Sequence, residues 1–141
     1  MIQPAPTVIY TAVAHVSVPD EMPAPLPAEL HYDISDPYAV RLSIGGPATR
    51  PVDWVFARSL LAGGLDRPTG TGDVVVIPLR RCRSDSVRIV LRSAAGTALI
   101  DIAASVVAAF LRRTEELAPP GTESLHIDMD RALAELTGTR E

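Results

Sequence analysis

Lysine is missing from this chain of 141 residues: all 13 basic side chains are arginine. Its absence rules out a Schiff-base amine, a phosphate-gripping P-loop lysine and a Ser-Lys catalytic pair. Cysteine is reduced to one residue, Cys82, so no intrachain disulfide and no thiolate metal cluster can form, and Cys82 reads as a small inert filler rather than a reactive thiol. Aromatic residues make up 4% of the chain, which leaves few rings for base stacking. Uninterrupted apolar runs all fall well short of the roughly 20 residues needed to cross a bilayer. The start, MIQPAPTVIYTAV, lacks the basic opening of a secretory signal. A soluble, cytoplasmic protein without membrane insertion is expected. Positive charge is also short: the net charge of −4 argues against a general affinity for nucleic acid.

What is present is apolar content, 47% of the chain, enough to fill one core in a chain of single-domain length. One domain over 1–141 is expected, with 1–7 and 138–141 as flexible ends. Val8 to Val18 is rich in β-branched residues and reads as a strand ending at Pro19. PDEMPAPLPAE, with four prolines, reads as an extended surface connection, followed by a short strand from Leu30 to Ile34. After the Asp36-Pro37 turn, Tyr38, Val40, Leu42 and Ile44 alternate with polar or small residues as a half-buried strand, and Val52, Trp54 and Phe56 form the returning strand. Arg58 to Ala62 is expected to be a short helix carrying Leu60 and Leu61 inward, ended by a left-handed residue at Gly63 or Gly64.

Asp73 to Leu79, Val87 to Arg92 and Thr97 to Ile102 read as three further strands. In the middle one, Val87, Ile89 and Leu91 face the core, and Arg88, Val90 and Arg92 face water. From Ala104 to Leu117 the period becomes helical, with Val106, Val107, Phe110, Leu111 and Leu117 on the apolar side. Pro119, Pro120 and Gly121 stop this helix, and a last one is expected to start near Asp128 or Asp130. Strands and helices do not alternate, so the fold class is α+β, an antiparallel β-sheet or sandwich with a short central helix and C-terminal helices.

Catalytic constellations are not visible. His15, His31 and His126 include no i, i+4 pair, and the alternation His126-x-Asp128-x-Asp130 is better explained by turn formation and helix capping than by metal binding. No nucleophile elbow occurs, and Glu115 and Glu116 read as a solvated helix face. No catalytic, cofactor-binding or metal-binding residue is therefore assigned. Two segments remain as contact candidates. Arg67-Pro68-Thr69-Gly70-Thr71-Gly72-Asp73 is a glycine-bearing turn whose Arg67, Thr69, Thr71 and Asp73 are the candidate partner-binding side chains. Arg80, Arg81, Arg83, Arg88 and Arg92, opposed only by Asp85, form a locally basic region that suits a subunit contact or single-stranded nucleic acid.

Three segments, HYDISDPYAV at 31–40, VDWVFARSLLAGGLDRPTGTGDVVV at 52–76 and FLRRTEELAPPGTESLHIDMD at 110–130, together resemble the SsgA-like proteins of sporulating actinomycetes. The match runs from about residue 29 to 136. The resemblance implies a non-enzymatic regulator of sporulation-specific cell division without a cofactor, located at the septum. It also implies an oligomeric adaptor that positions the tubulin-like division protein FtsZ or its membrane tethers, and a Whirly-like fold assembled as a homotrimer. The alternative is a single-stranded nucleic-acid-binding protein of the same fold. The N-terminal prolines and RRCRSD at 80–85 depart from the family pattern, and differences in partner are expected there.

Overall fold

The alternation of apolar and polar residues folds as strands that bury every second side chain, and the computed structural model describes residues 6–45, 51–82 and 84–125. The elements are β1 (Thr7–Ser17), β2 (Ala24–Asp33), β3 (Ala39–Ile44), β4 (Val52–Ala57), α1 (Arg58–Gly63), β5 (Val74–Leu79), β6 (Ser86–Ser93), β7 (Gly96–Ala103) and α2 (Ala104–Leu117). The strands form one seven-stranded sheet in the order β4-β3-β2-β1-β7-β6-β5, and every neighbouring pair is antiparallel. The protein is thus α+β. The expected last helix and His126-x-Asp128-x-Asp130 lie outside the described residues.

β1 joins the two halves of the sheet. Its length from Thr7 to Val16 pairs with β2, whereas only His15, Val16 and Ser17 pair with β7. The sheet therefore curls around a core of Leu30, Tyr32, Val40, Leu42, Val87, Ile89, Ile100 and Ile102, closed by Val107, Phe110 and Leu111 of α2. Tyr10 and Phe110 meet edge to face at 6.0 Å. α1 continues directly from β4 and packs against β5, so the two edges of the sheet come to either side of a six-residue helix.

Several expectations need correction. PDEMPAPLPAE is not a free connection: β2 begins at Ala24 and carries Pro25 and Pro27 inside it. Both prolines lie beyond the last β2–β3 pair, Ala28↔Ile44; Pro27 O still accepts Gly45 N–H at 3.0 Å, but no paired residue of β3 calls for the missing proline N–H. The turn before it is built on Pro19 and on Asp20 at φ 67°, with Glu21 N–H donating to Val18 O at 3.2 Å. Neither Gly63 nor Gly64 supplies a left-handed residue, because Gly64 ends α1 at φ −68°. Glycine is needed there for room: a Cβ on Gly64 would fall within 2.5 Å of Val76 Cβ and closer still to its Cγ1. The β6 face carrying Arg88 is only partly wet, since Val90 is buried. Cys82 is exposed and fills no core space.

Candidate functional site

The first contact candidate is fixed by its glycines. Thr69 and Val76 exchange two backbone hydrogen bonds of 2.9 Å, which seal the outer edge of β5, and Thr69 Oγ1 donates to Arg67 O at 2.8 Å. Gly70, at φ +107°, lies so close that a Cβ would meet Val74 O at 2.6 Å and Leu60 Cδ1 at 2.8 Å. Arg67, Thr71 and Asp73 remain exposed and Thr69 is half-buried, so the loop presents three free side chains on a pinned backbone. Gly70→Ala is expected to cost about 1–3 kcal/mol, from positive φ and overpacking together. Gly72→Ala, which meets nothing within 4 Å, should stay within roughly 0.5 kcal/mol of the parent in chemical denaturation. Equal losses at both glycines would contradict this account of the loop.

At the start of α1 lies a buried polar centre that the sequence did not single out. Arg58, at the first position of α1, is 4% exposed. Its Nη2 donates to Glu123 Oε2 at 2.7 Å, and its Nη1 donates to Thr114 O at 3.2 Å and Thr114 Oγ1 at 3.3 Å. Its guanidinium carbon sits 5.1 Å from the centre of the Tyr32 ring. Tyr32 donates its hydroxyl to Pro37 O at 3.0 Å, and Tyr38 O accepts the Arg58 N–H at 2.7 Å, which satisfies the first donor of α1. Glu123 also accepts from Gly121 N–H at 2.8 Å, so Arg58 and then the turn amides hold its carboxyl below the usual range. Burial pushes the Tyr32 phenol up, and Arg58 opposes that shift. D-P-Y, W-V-F-A-R and P-P-G-T-E, distant in the chain, therefore meet around Arg58, the first through the Arg58 backbone N–H and the last through its guanidinium. One signal for it was legible: Thr114 continues the spacing of Val107, Phe110 and Leu111 and lies on the buried stripe of α2.

The basic candidates separate. Arg80, Arg81 and Arg92 are exposed, and Arg83 lies outside the described residues. Arg88 is held by Asp101 through Nε to Oδ1 at 2.7 Å and Nη2 to Oδ2 at 2.9 Å, so much of its charge is already answered. Asp101 was missed because its partner stands opposite it on a neighbouring strand.

On the outer face of the other half-sheet, register aligns Ile9, His31, Arg41 and Val55 across β1, β2, β3 and β4. Ile9 is 55% exposed, Val13 59% and Val55 63%. A shallow cleft of about 380 Å³ opens along this row. Among the described residues, no helix is long and apolar enough to cross a membrane, and no group of three or more His, Cys, Asp or Glu side chains is placed to hold a metal ion.

Residues 26–123 match the family described as Streptomyces sporulation and cell division protein, SsgA. The sporulation-specific cell division protein SsgB of Streptomyces coelicolor is 48% identical over 119 residues, which cover 84% of this chain and 87% of that one. SsgB of Salinispora tropica is 41% identical over 99% of both chains, so the proline-bearing N-terminal segment lies inside an aligned region. The crystal structure of an SsgA-like sporulation-specific cell division protein from Thermobifida fusca superposes with a TM-score of 0.87 at 38% identity, covering 96% of this chain and 98% of that one.

Proposed function

The chain belongs to the SsgA family of sporulation and cell division proteins, and from that premise we propose that it is a non-enzymatic, oligomeric adaptor of sporulation-specific septation. It acts in the cytoplasm at the septum by binding FtsZ or the membrane tethers of FtsZ, and it assembles as a homotrimer. The observation that carries the adaptor reading is the set of exposed apolar side chains on the outside of the sheet. Ile9, Val13 and Val55 belong to strands whose opposite faces already fill the core. A surface on which exposed apolar side chains flank Arg41 and His31 has the mixed composition of a protein contact. The exposed Arg67, Thr71 and Asp73 of the pinned loop offer a second, polar contact.

The test is capture of purified FtsZ and of its membrane tethers by the folded protein, with sedimentation to read self-association. Val55→Glu is expected to keep the unfolding free energy within roughly 0.5 kcal/mol, as at other exposed sites. It should abolish either partner capture or self-association, because burying an unpaired carboxylate in an interface is costly. Folded wild-type protein that retains neither FtsZ nor a tether removes the adaptor reading. A Val55→Glu variant that keeps both activities moves the contact to the Arg67–Asp73 loop, where Asp73→Arg is the corresponding variant. The nucleic-acid alternative is weakened, since Asp101 occupies Arg88.

A further inference from the structure

We propose that the outer face of β1, β7 and β6 carries a binding site for one phosphate-class oxyanion, either the phosphomonoester of a modified side chain or the free ion. Register places His15 opposite Asp101 and Asp101 opposite Arg88, so three polar side chains line up across three adjacent strands. Ser17 and Ser86, two residues along from His15 and Arg88, project from the same face. The cleft above them, about 390 Å³, is walled by Pro23 and by the β5–β6 connection, which brings in Arg81. This volume falls within the roughly 300–1,000 Å³ of small-ligand sites. The lining is unusual for such a site in being mostly donors.

The arginines differ in their commitments. Arg88 is locked by its two hydrogen bonds to Asp101, which fixes the plane of its guanidinium and, among the described residues, leaves Nη1 unengaged. Arg81 is 59% exposed, and its Nη2 stands 3.8 Å from Asp101 Oδ2, beyond hydrogen-bond distance. Its backbone is nevertheless fixed: Arg81 N–H donates to Asp85 Oδ1 at 3.2 Å, and Asp85 O accepts Ala104 N–H at 3.0 Å at the start of α2. In the lining itself two guanidiniums stand against one carboxylate, and the Asp85 carboxylate beside it is engaged by the Arg81 backbone N–H. Asp101 faces an incoming anion, but both of its oxygens are already taken by Arg88. Side chains with donors from β1, β6 and the connection line the one cleft. Among the described residues no Phe, Tyr or Trp lines the cleft, whereas a track for a nucleic-acid strand repeats cations and stacking rings along its length. The geometry therefore fits a single terminal oxyanion with several free oxygens.

This inference does not depend on the adaptor reading, because a failure to capture FtsZ leaves the cleft unchanged. The experiment titrates the full chain with inorganic phosphate, with a phosphoserine peptide and its unphosphorylated twin, and with a single-stranded oligonucleotide. Binding is followed by calorimetry and by the NMR signals of the His15 ring. Phosphate and the phosphopeptide are expected to bind and to compete, while the unphosphorylated twin does not bind. Arg81→Ala should weaken both by roughly tenfold, the loss of one charge-assisted hydrogen bond. Arg92→Ala, exposed on β6 outside the cleft, should leave both unchanged. Tighter binding of the phosphopeptide than of phosphate assigns the site to a modified side chain, and equal binding assigns it to the free ion. The proposal is overturned if folded protein shows no saturable response to phosphate, or if Arg92→Ala weakens binding as much as Arg81→Ala. Oligonucleotide binding that phosphate does not displace also overturns it and gives this face to nucleic acid.

Discussion

Replacing Arg58 by alanine is expected to lower the unfolding free energy by about 3–5 kcal/mol, the range for removing one partner of a buried ion pair. Three acceptors lose the arginine as a donor at once, the Glu123 carboxylate, Thr114 O and Thr114 Oγ1, of which Glu123 keeps Gly121 N–H and Thr114 O keeps Ala118 N–H. The Tyr32 ring also loses the cation against its face. Arg58→Lys should fall between the two, since a single ammonium cannot reach both Thr114 and Glu123 as the planar fork does. The informative comparison is Arg58→Met alone against Arg58→Met with Glu123→Gln. The double variant should be the more stable, because it leaves no unpaired carboxylate. Chemical denaturation measures all four, and an Arg58→Ala loss below about 1 kcal/mol would show that water already screens the pair.

The same pair sets an acid limit. The Glu123 carboxyl titrates lower in the folded protein than in the unfolded chain, chiefly through its hydrogen bond from Arg58. Its stabilising contribution is therefore complete above the unfolded value of about 4.3 and is lost as pH falls through the lower folded value. Glu123→Gln should flatten this part of the stability profile and leave the neutral region parallel to that of the parent. An unchanged acid limb in the variant would assign the acid sensitivity to other carboxylates.

Gly64→Ala is expected to be the more damaging of the two glycine changes in this part of the chain, at or above the 1–3 kcal/mol usual for overpacking. Backbone strain plays no part, because φ at Gly64 suits any residue. The cost is steric: the new Cβ would meet the side chain of Val76 and approach its backbone carbon at 3.2 Å. Val76 is fully buried and paired to Thr69 on one side and Ile89 on the other, so it cannot withdraw. Val76→Ala in the Gly64→Ala background should recover only part of the loss, since the Val76 Cβ itself lies 2.5 Å from the added atom. Thermal and denaturant midpoints of the single and double variants give the coupling. Full recovery would mean that α1 shifts as a body, and no loss in the single variant would contradict the packing described.

Gly64 also shows where reading the sequence succeeded and where it failed. Two glycines after an apolar helical segment signal a helix end, and α1 ends there. The reason assigned to them, left-handed backbone, was wrong because the contact that demands glycine comes from β5, on the far edge of the sheet. The prolines of β2 failed for a related reason. Proline is excluded from a strand only where a neighbour needs its N–H, and which stretches of β2 lack a neighbour depends on the register with β3. Of the candidate contact residues, those from Arg67 to Asp73 lie in a mostly exposed loop as expected, though it is held by the Thr69–Val76 bridge and only Gly70 of its two glycines has positive φ. The neutralisation of Arg88 by Asp101 was invisible, because it depends on which strands are neighbours.

The sequence by itself determined the order and kind of elements, the helix over Ala104 to Leu117, the inward faces of most strands and, through its three motif segments, the family. These follow from periodicity and local chemistry, which act over a few residues. Only the tertiary structure decided that Arg58 would meet Glu123 across 65 positions of chain, that Gly64 would face Val76, and that Ile9 and Val55 would share one outer surface. Those contacts depend on how the curled sheet brings distant strands together. Alternation separates an inner from an outer face, and register alone decides which side chains meet on either one.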